Sequence, residues 1–255
     1  IVGAEIRILD PQGSSVYELT TDESGETERV SLETMDRSLS LDPDYSGTPY
    51  TGYDVLVRAA GFNSLYISGA PIYEDETAIQ PAELLPMQQT QRSPMVNEIT
   101  IEKPAAASDI RRIQEKPEPE LRVLRQVVIP DPITVHLGSP SSSAANVQVR
   151  FTDYIKNVAS SEIYPTWPDA SLRANIYAII TFALNRVFTE WYRSRGYSFD
   201  ITSSTAYDQA YVHGRTIFES ISRIVDEIFN QYVRRQGQNA PYFTSFCNGT
   251  TATCS

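Results

Sequence analysis

Cysteine and histidine are scarce: the 255 residues hold two of each. Cys247 and Cys254 sit near the C-terminus in a C-x6-C spacing that is neither a zinc nor a redox signature. A small disulfide and two free thiols stay equally open for them. His136 and His213 stand far apart in sequence and are expected to be structural. Long apolar runs are also missing. None approaches the roughly 20 residues needed to cross a bilayer, so no membrane is expected as a partner. The opening "IVGAEIRILD" lacks a basic stretch and a small-residue cleavage site, and reads as the first strand of a domain rather than a signal peptide. Basic residues are few at the start. Residues 1–103 carry 18 acids against 6 bases, and the remainder 14 against 15, which together give the net charge of −11. Phosphates would be repelled by such an acidic half, so nucleic acid is not expected either. The plain reading of the acids is a solvated, solubilising face.

What is present is a folded composition, 41% apolar, long enough for two domains. Residues 1–80 read as β structure. "AEIRIL", "SVYELTT", "ETERVSLET", "YDVLVRAAGF" and "SLYISGAPIY" alternate or run apolar, and Gly, Pro and Asp turns separate them. This predicts a small antiparallel sandwich. Residues 81–132 hold eight of the sixteen prolines and read as a linker with one short helix near Ser108 to Glu115. An exposed linker is where proteases cut. "ITVHLG" and "NVQVRF" follow as two strands.

The rest is predicted to be mainly helical. Thr152 or Asp153 would cap a first helix through about Ser161, and Pro168 suits the first turn of a second. Leu172, Ile176, Ile179, Ala183 and Val187 form the apolar stripe of that second helix, and Gly196 fits its end. A third helix is expected after Gly214, with Ile217, Ile221, Ile224, Ile228 and Tyr232 as its stripe. These stripes are core.

Glu162 breaks the pattern. On a helix it lies four residues after Val158 and seven after Ile155, on the apolar face those residues define. A carboxyl there either looks into a cleft or points into the protein. Loss of water disfavours its charged form, and a carboxyl that stays protonated near neutral pH can act as a general acid. Capping of a helix end, or local pairing with Arg173, is the competing reading. A second carboxylate of the kind most glycoside hydrolases use would have to be Asp200 or Asp208, and both read as turn residues.

Two family resemblances add to this. The pattern "TTDESGET" followed by "YDVLVRAAGF" resembles the transthyretin-like or carboxypeptidase-regulatory-like β-sandwich over about residues 1–85, a module that is usually non-catalytic. Residues 151–211 resemble the SpoIID/LytB family of peptidoglycan-acting proteins, through "DYIKNVASSEIYPTWPDASLRANIYAIITFAL" and "FDITSSTAYDQAY". The second resemblance implies a lytic transglycosylase with Glu162 as its catalytic acid and no cofactor. It further implies that Arg173, Gln209 and Tyr211 serve the substrate. Trp167 is a candidate to stack on a sugar, and core packing or helix capping is the competing role for all four. Over most of the chain the sequence is also similar to the germination-specific spore cortex-lytic enzymes of clostridia. That similarity implies an N-terminal pro-region removed by a subtilisin-like Csp protease, with the cut near Gln126, Val127 and Val128, and a location in the spore. The partners implied are peptidoglycan glycan strands and that protease.

Three departures accompany the resemblance. The arginine of the family's long helix falls at Ile180. The cysteine and histidine zinc ligands of some members are missing from "SSTAYDQAY", so no metal is expected. The family pattern continues past the final "CNGTTATCS". The expected architecture is therefore α+β. Residues 1–87 form a transthyretin-like antiparallel β-sandwich and 88–132 a proline-rich linker cut near 126–129. Residues 133–255 form a mainly helical SpoIID-like catalytic domain with a few strands. A non-catalytic peptidoglycan-binding or amidase-enhancing protein, and a zinc-dependent N-acetylmuramoyl amidase, are the alternatives.

Overall fold

The computed structural model describes residues 1–88, 90–91, 93–102 and 123–244. The short helix expected near residues 108–115, and both cysteines, lie outside the described residues. The chain divides into two compact units, one of residues 1–103 with 214–219, the other of 104–213 with 220–255. Sheets and helices are both present, as the α+β expectation requires.

In the first unit the strands are β1 (Glu5–Leu9), β2 (Ser15–Thr20), β3 (Thr51–Arg58), β4 (Ser64–Ile72), β5 (Ala78–Ile79) and β6 (Val96–Thr100), with a single helical turn α1 (Ser38–Leu41). They build a five-stranded sheet in the order β2-β1-β3-β4-β6. The β1–β2 hairpin turns at "PQG", where the Asp10 carboxylate accepts the amides of Gln12 and Ser14 and Gly13 takes a left-handed φ of 81°. Ala4, Val57, Leu65, Ile67, Ala70, Leu84 and Ile101 form the buried core against this sheet.

Two expectations fail here. The pairing is antiparallel through β4, but β6 lies parallel to β4, Ser64 opposite Val96. That strand falls inside the span read as linker. Its five residues contain no proline and alternate in exposure, and the neighbouring prolines hid them. "ETERVSLET" forms no strand. Tyrosine hydroxyls hold it instead: Tyr17 donates to the Ser31 carbonyl at 2.9 Å and Tyr53 to the Glu33 carbonyl at 2.7 Å. Side chains replace the ladder that its β-branched pattern suggested.

The second unit contains β7 (Ile133–His136), β8 (Asn146–Val149), α2 (Phe151–Glu162), α3 (Asp169–Phe188) and β9 (Ile201–Thr202). The last helix, α4 (Glu219–Ile228), belongs to it from Ser220 onward, and the short β10 (Ile217–Phe218) precedes α4 in the first unit. β7 is the middle strand of a three-stranded sheet, antiparallel to β8 and parallel to β9.

The helix boundaries depart from their sequence signals. α2 starts at Phe151 with Arg150 in extended conformation at the cap, and neither Thr152 nor Asp153 caps it. It stops where Ile163 becomes extended. Pro165 disfavours helical geometry at Tyr164 and keeps the chain from continuing. Pro168 is the cap residue of α3 rather than part of its first turn, and its carbonyl accepts the amides of Ser171 and Leu172. α3 ends at Phe188, not at Gly196. Glu190 supplies the left-handed residue, at φ 45°, and the Trp191 amide donates back to the Arg186 carbonyl. A glutamate in that role leaves no glycine signal to read. Gly196 closes the short 3-10 turn Arg193–Arg195 instead.

α2 buries Phe151, Tyr154, Ile155, Val158, Ala159 and Glu162, a stripe repeating at three and four that ends on the glutamate. α3 buries Leu172, Ile176, Ile179, Ile180 and Ala183, but then Arg186 rather than Val187. Ile221, Ile224, Val225 and Ile228 are the buried face of α4, and Ile217 and Tyr232 fall outside that helix.

Candidate functional site

Glu162 is the last residue of α2 and keeps 5% of its surface exposed. Its Oε1 accepts the backbone amide of Ala210 at 3.0 Å. Ala210 lies in the stretch after β9 that contains two other residues singled out from sequence. Gln209 is buried, accepts the Tyr154 hydroxyl at 3.1 Å and donates to the Ile179 carbonyl at 3.2 Å. Tyr211 stacks on Tyr154, centroids 5.6 Å apart, and its hydroxyl lies 3.1 Å from Nδ1 of His213. Burial, with a smaller contribution from the Asp153 charge, pushes the Tyr211 hydroxyl up to about 12. Asn157 makes a pair of hydrogen bonds with Val212: its Nδ2 donates to the Val212 carbonyl and its Oδ1 accepts the Val212 amide. Three side chains of one α2 face thus hold residues 209–212. The structure brings Glu162, Gln209 and Tyr211 together.

Arg173 goes elsewhere. On α3 its Nε donates to Asp169 and its Nη2 to Glu227, and Arg223 bonds the same two carboxylates. Those hydrogen bonds raise the Arg173 guanidinium above its ordinary value, Asp169 first and Glu227 second, and hold the Asp169 carboxyl below its own. Local pairing of Glu162 with Arg173 therefore finds this guanidinium engaged by two other acids. The lowered Asp169 gives a pH sign: its contribution to stability is present above the ordinary carboxylate range and is lost as pH falls through its depressed value. As an exposed cluster it has little leverage. Arg173→Ala should move the thermal midpoint by no more than about 3 °C, and by less in high salt, checked by calorimetry at two ionic strengths.

Trp167 is half-buried, with its ring edge-on to Tyr164 at 5.8 Å. Gln126 and Val128 are exposed and Val127 half-buried, in a stretch of irregular backbone. Gln126 and Val127 line a cavity of about 260 Å³ with Leu184 and Tyr232. His136 is buried against Phe199, ring centroids 4.6 Å apart, and bonds Asn146 and Ser142. Among the described residues no group of three His, Cys, Asp or Glu side chains stands where it could hold a metal ion.

Both aspartates read as turn residues are ion-paired. Asp200 accepts from Arg193 Nε at 2.6 Å and from the Thr134 amide at 2.8 Å. Asp208 is fully buried. Its Oδ1 accepts from Arg186 Nε at 2.7 Å, and its Oδ2 accepts the Tyr192 hydroxyl, the Thr202 hydroxyl and the Thr202 amide. Burial, then the Asp208 charge, pushes the Tyr192 phenol far above its ordinary value, so it stays a donor. Arg186 also sits over the rings of Trp191 and Phe182, at 4.4 and 5.2 Å. Sequence reading missed this pair. The available signal was Arg186 itself: it falls seven after Ile179 and three after Ala183, on the stripe read as apolar. A charge placed there requires a buried counter-charge.

A buried acid at a helix end, clamped to a short segment fixed by a buried arginine–aspartate pair, defines a mixed α+β unit organised around one carboxyl. Residues 141–234, a little over a third of the chain, match the SpoIID family model, described as stage II sporulation protein. The match supports the SpoIID family for this part of the chain. It spans Glu162, Arg173, Gln209 and Tyr211. No curated protein and no solved structure matches the chain. Among the described residues no helix is long and apolar enough to cross a membrane.

Proposed function

We propose that the second unit is a peptidoglycan lytic transglycosylase in which Glu162 is the single acid and base. The observation that carries this reading is the position of Glu162. It sits on the buried face of α2, out of bulk water, with one oxygen fixed by the Ala210 amide. A carboxyl shielded from bulk water and held in place is positioned to exchange a proton with one bound group. The proton would pass to the glycosidic oxygen between N-acetylmuramic acid and N-acetylglucosamine as the C1–O bond breaks and an oxocarbenium-like centre forms. The carboxylate would then take the proton of the muramic C6 hydroxyl while that oxygen bonds to C1 and closes a 1,6-anhydro ring. Proton and bonds balance without water. No second carboxylate is needed, which agrees with Asp200 and Asp208 both being held by arginines.

Gln209 and Tyr211 would shape the segment that positions Glu162, and Trp167 would offer a ring to a sugar face. Arg173 would act on the substrate only through the cluster it forms with Asp169, Glu227 and Arg223. The finer reading is a spore cortex-lytic zymogen similar to SleC, with residues 1–87 in the pro-region and a subtilisin-like Csp protease cutting near Gln126, Val127 and Val128 during germination. Exposure of Gln126 and Val128 and irregular backbone at 126–128 support it, since a protease binds its substrate extended.

A second reading is a protein that binds glycan without cutting it. It is favoured by the internal bonds of Glu162 and Gln209, which are also what a structural staple would make. Mass spectrometry of muropeptides released from spore cortex by the linker-cut protein separates the two: anhydro-muramic ends support the transglycosylase, and intact glycan supports the binder. Undiminished cleavage in the presence of a chelator would set the transglycosylase apart from a zinc amidase.

A further inference from the structure

The first unit is built from two stretches of chain that are far apart in sequence, 1–103 and 214–219. The later stretch is seated with many bonds. β10 pairs antiparallel with β5, Ile217 opposite Ile79 and Phe218 opposite Ala78, and the Glu219 amide donates to the Thr77 carbonyl at 3.0 Å. The Gln80 side chain is used at both ends: its Nε2 donates to the Gly214 carbonyl at 2.8 Å and its Oε1 accepts the Thr216 hydroxyl at 2.6 Å. Phe218, 1% exposed, meets Tyr73 edge-on at 5.3 Å. Arg215 and Thr216 are each 1% exposed, and Arg29 bonds Glu219 through two nitrogens. Gly214 enters at φ +80°, a conformation that other residues adopt only with strain.

Residues 104–213 thus leave the first unit and the chain returns to it. A cut anywhere in 104–132 opens that excursion but does not touch the returning stretch. We propose that the short strand β5 with the Gln80 side chain is a peptide-docking surface whose occupant is the chain's own Gly214–Glu219 segment. Cleavage of the linker then leaves the N-terminal fragment bound to the C-terminal one without a covalent tie. The mode is antiparallel pairing of two short strands, with main-chain bonds for affinity and buried side chains for specificity. The inference rests on the make-up of the first unit and not on the reaction proposed for the second. Should the chain prove to be processed near Gln126, processing alone would not free the acidic fragment.

The test is the full chain carrying a site-specific protease sequence next to Gln126, cut to completion and run on size exclusion with light scattering. One native peak holding both fragments at the mass of the uncut chain is expected, and two peaks in urea. Two separate peaks in native buffer would overturn the proposal. Gln80→Ala, at a half-buried side chain, should weaken the cut complex about tenfold through loss of two hydrogen bonds. Phe218→Ala should weaken it on the order of a hundredfold. Both would read as separation at lower urea, and circular dichroism of each uncut variant establishes that it folds. Retention unchanged by both substitutions would place the attachment on another surface and end the proposal. Glycan cleavage enters none of these readouts, so loss of the transglycosylase reading leaves them intact.

Discussion

Glu162→Gln is expected to lower glycan cleavage by about three orders of magnitude while leaving the thermal midpoint within about 3 °C of the parent. The two halves of that expectation have separate causes. Glutamine is nearly the same size, and its side-chain carbonyl can accept the Ala210 amide as Oε1 of Glu162 does. The bond that fixes residues 209–212 is therefore kept, and so is the packing at the end of α2. Glutamine has no proton to give and cannot take one back from a sugar hydroxyl. A general acid at a scissile bond contributes roughly 10²–10⁴ in rate, which sets the expected loss. Steady-state cleavage of cortex fragments and calorimetry of the same preparation check both parts. A staple role predicts the opposite pattern: a small change in any cleavage with a midpoint that moves only if the Ala210 bond is lost.

Asp208→Asn should do the reverse, damaging the fold first. Asparagine removes the charge that balances Arg186 in a site where Arg186 is 5% exposed and Asp208 fully buried. Leaving one member of a buried pair without its counter-ion costs about 3–5 kcal/mol. For a chain of this size that corresponds to a midpoint about 10 °C lower. The loss should reach the site as well. Asp208 fixes Thr202 of β9 and Tyr192, and the residues that follow it directly, Gln209 and Ala210, meet α2. Cleavage should fall at temperatures where Glu162→Gln is still folded, and recover partly on cooling. Differential scanning calorimetry with activity measured at two temperatures checks this. A midpoint within a few degrees of the parent would show that the pair contributes little.

The legible parts of the molecule were those set by periodicity. The stripe of α2 puts Glu162 on the buried face by spacing alone, and α3 and α4 follow their isoleucines. Strands β1, β3, β4, β7 and β8 follow alternation and turn residues. What could not be read depends on partners distant in sequence. β6 is a strand because β4 offers it a parallel edge, and its flanking prolines masked it. Ile217 and Phe218 continue the apolar stripe of the helix that follows, but β5 pairs with them and makes them a strand. α3 ends on a left-handed Glu190, a residue without a stop signal. Asp208 looks like a turn residue until Arg186 is found beside it, 22 positions earlier in the chain. Arg173 sits on the helix as expected, yet its direction is set by Glu227 on another helix.

The most direct measurement is the mass spectrum of the glycan ends formed by the linker-cut protein in heavy-oxygen water. Closure of the muramic ring by its own C6 hydroxyl consumes no solvent. The account predicts ends lighter than a reducing muramic acid by one water and free of the label, and no such ends from Glu162→Gln. Labelled reducing ends, or unlabelled anhydro ends produced equally well by Glu162→Gln, would contradict it.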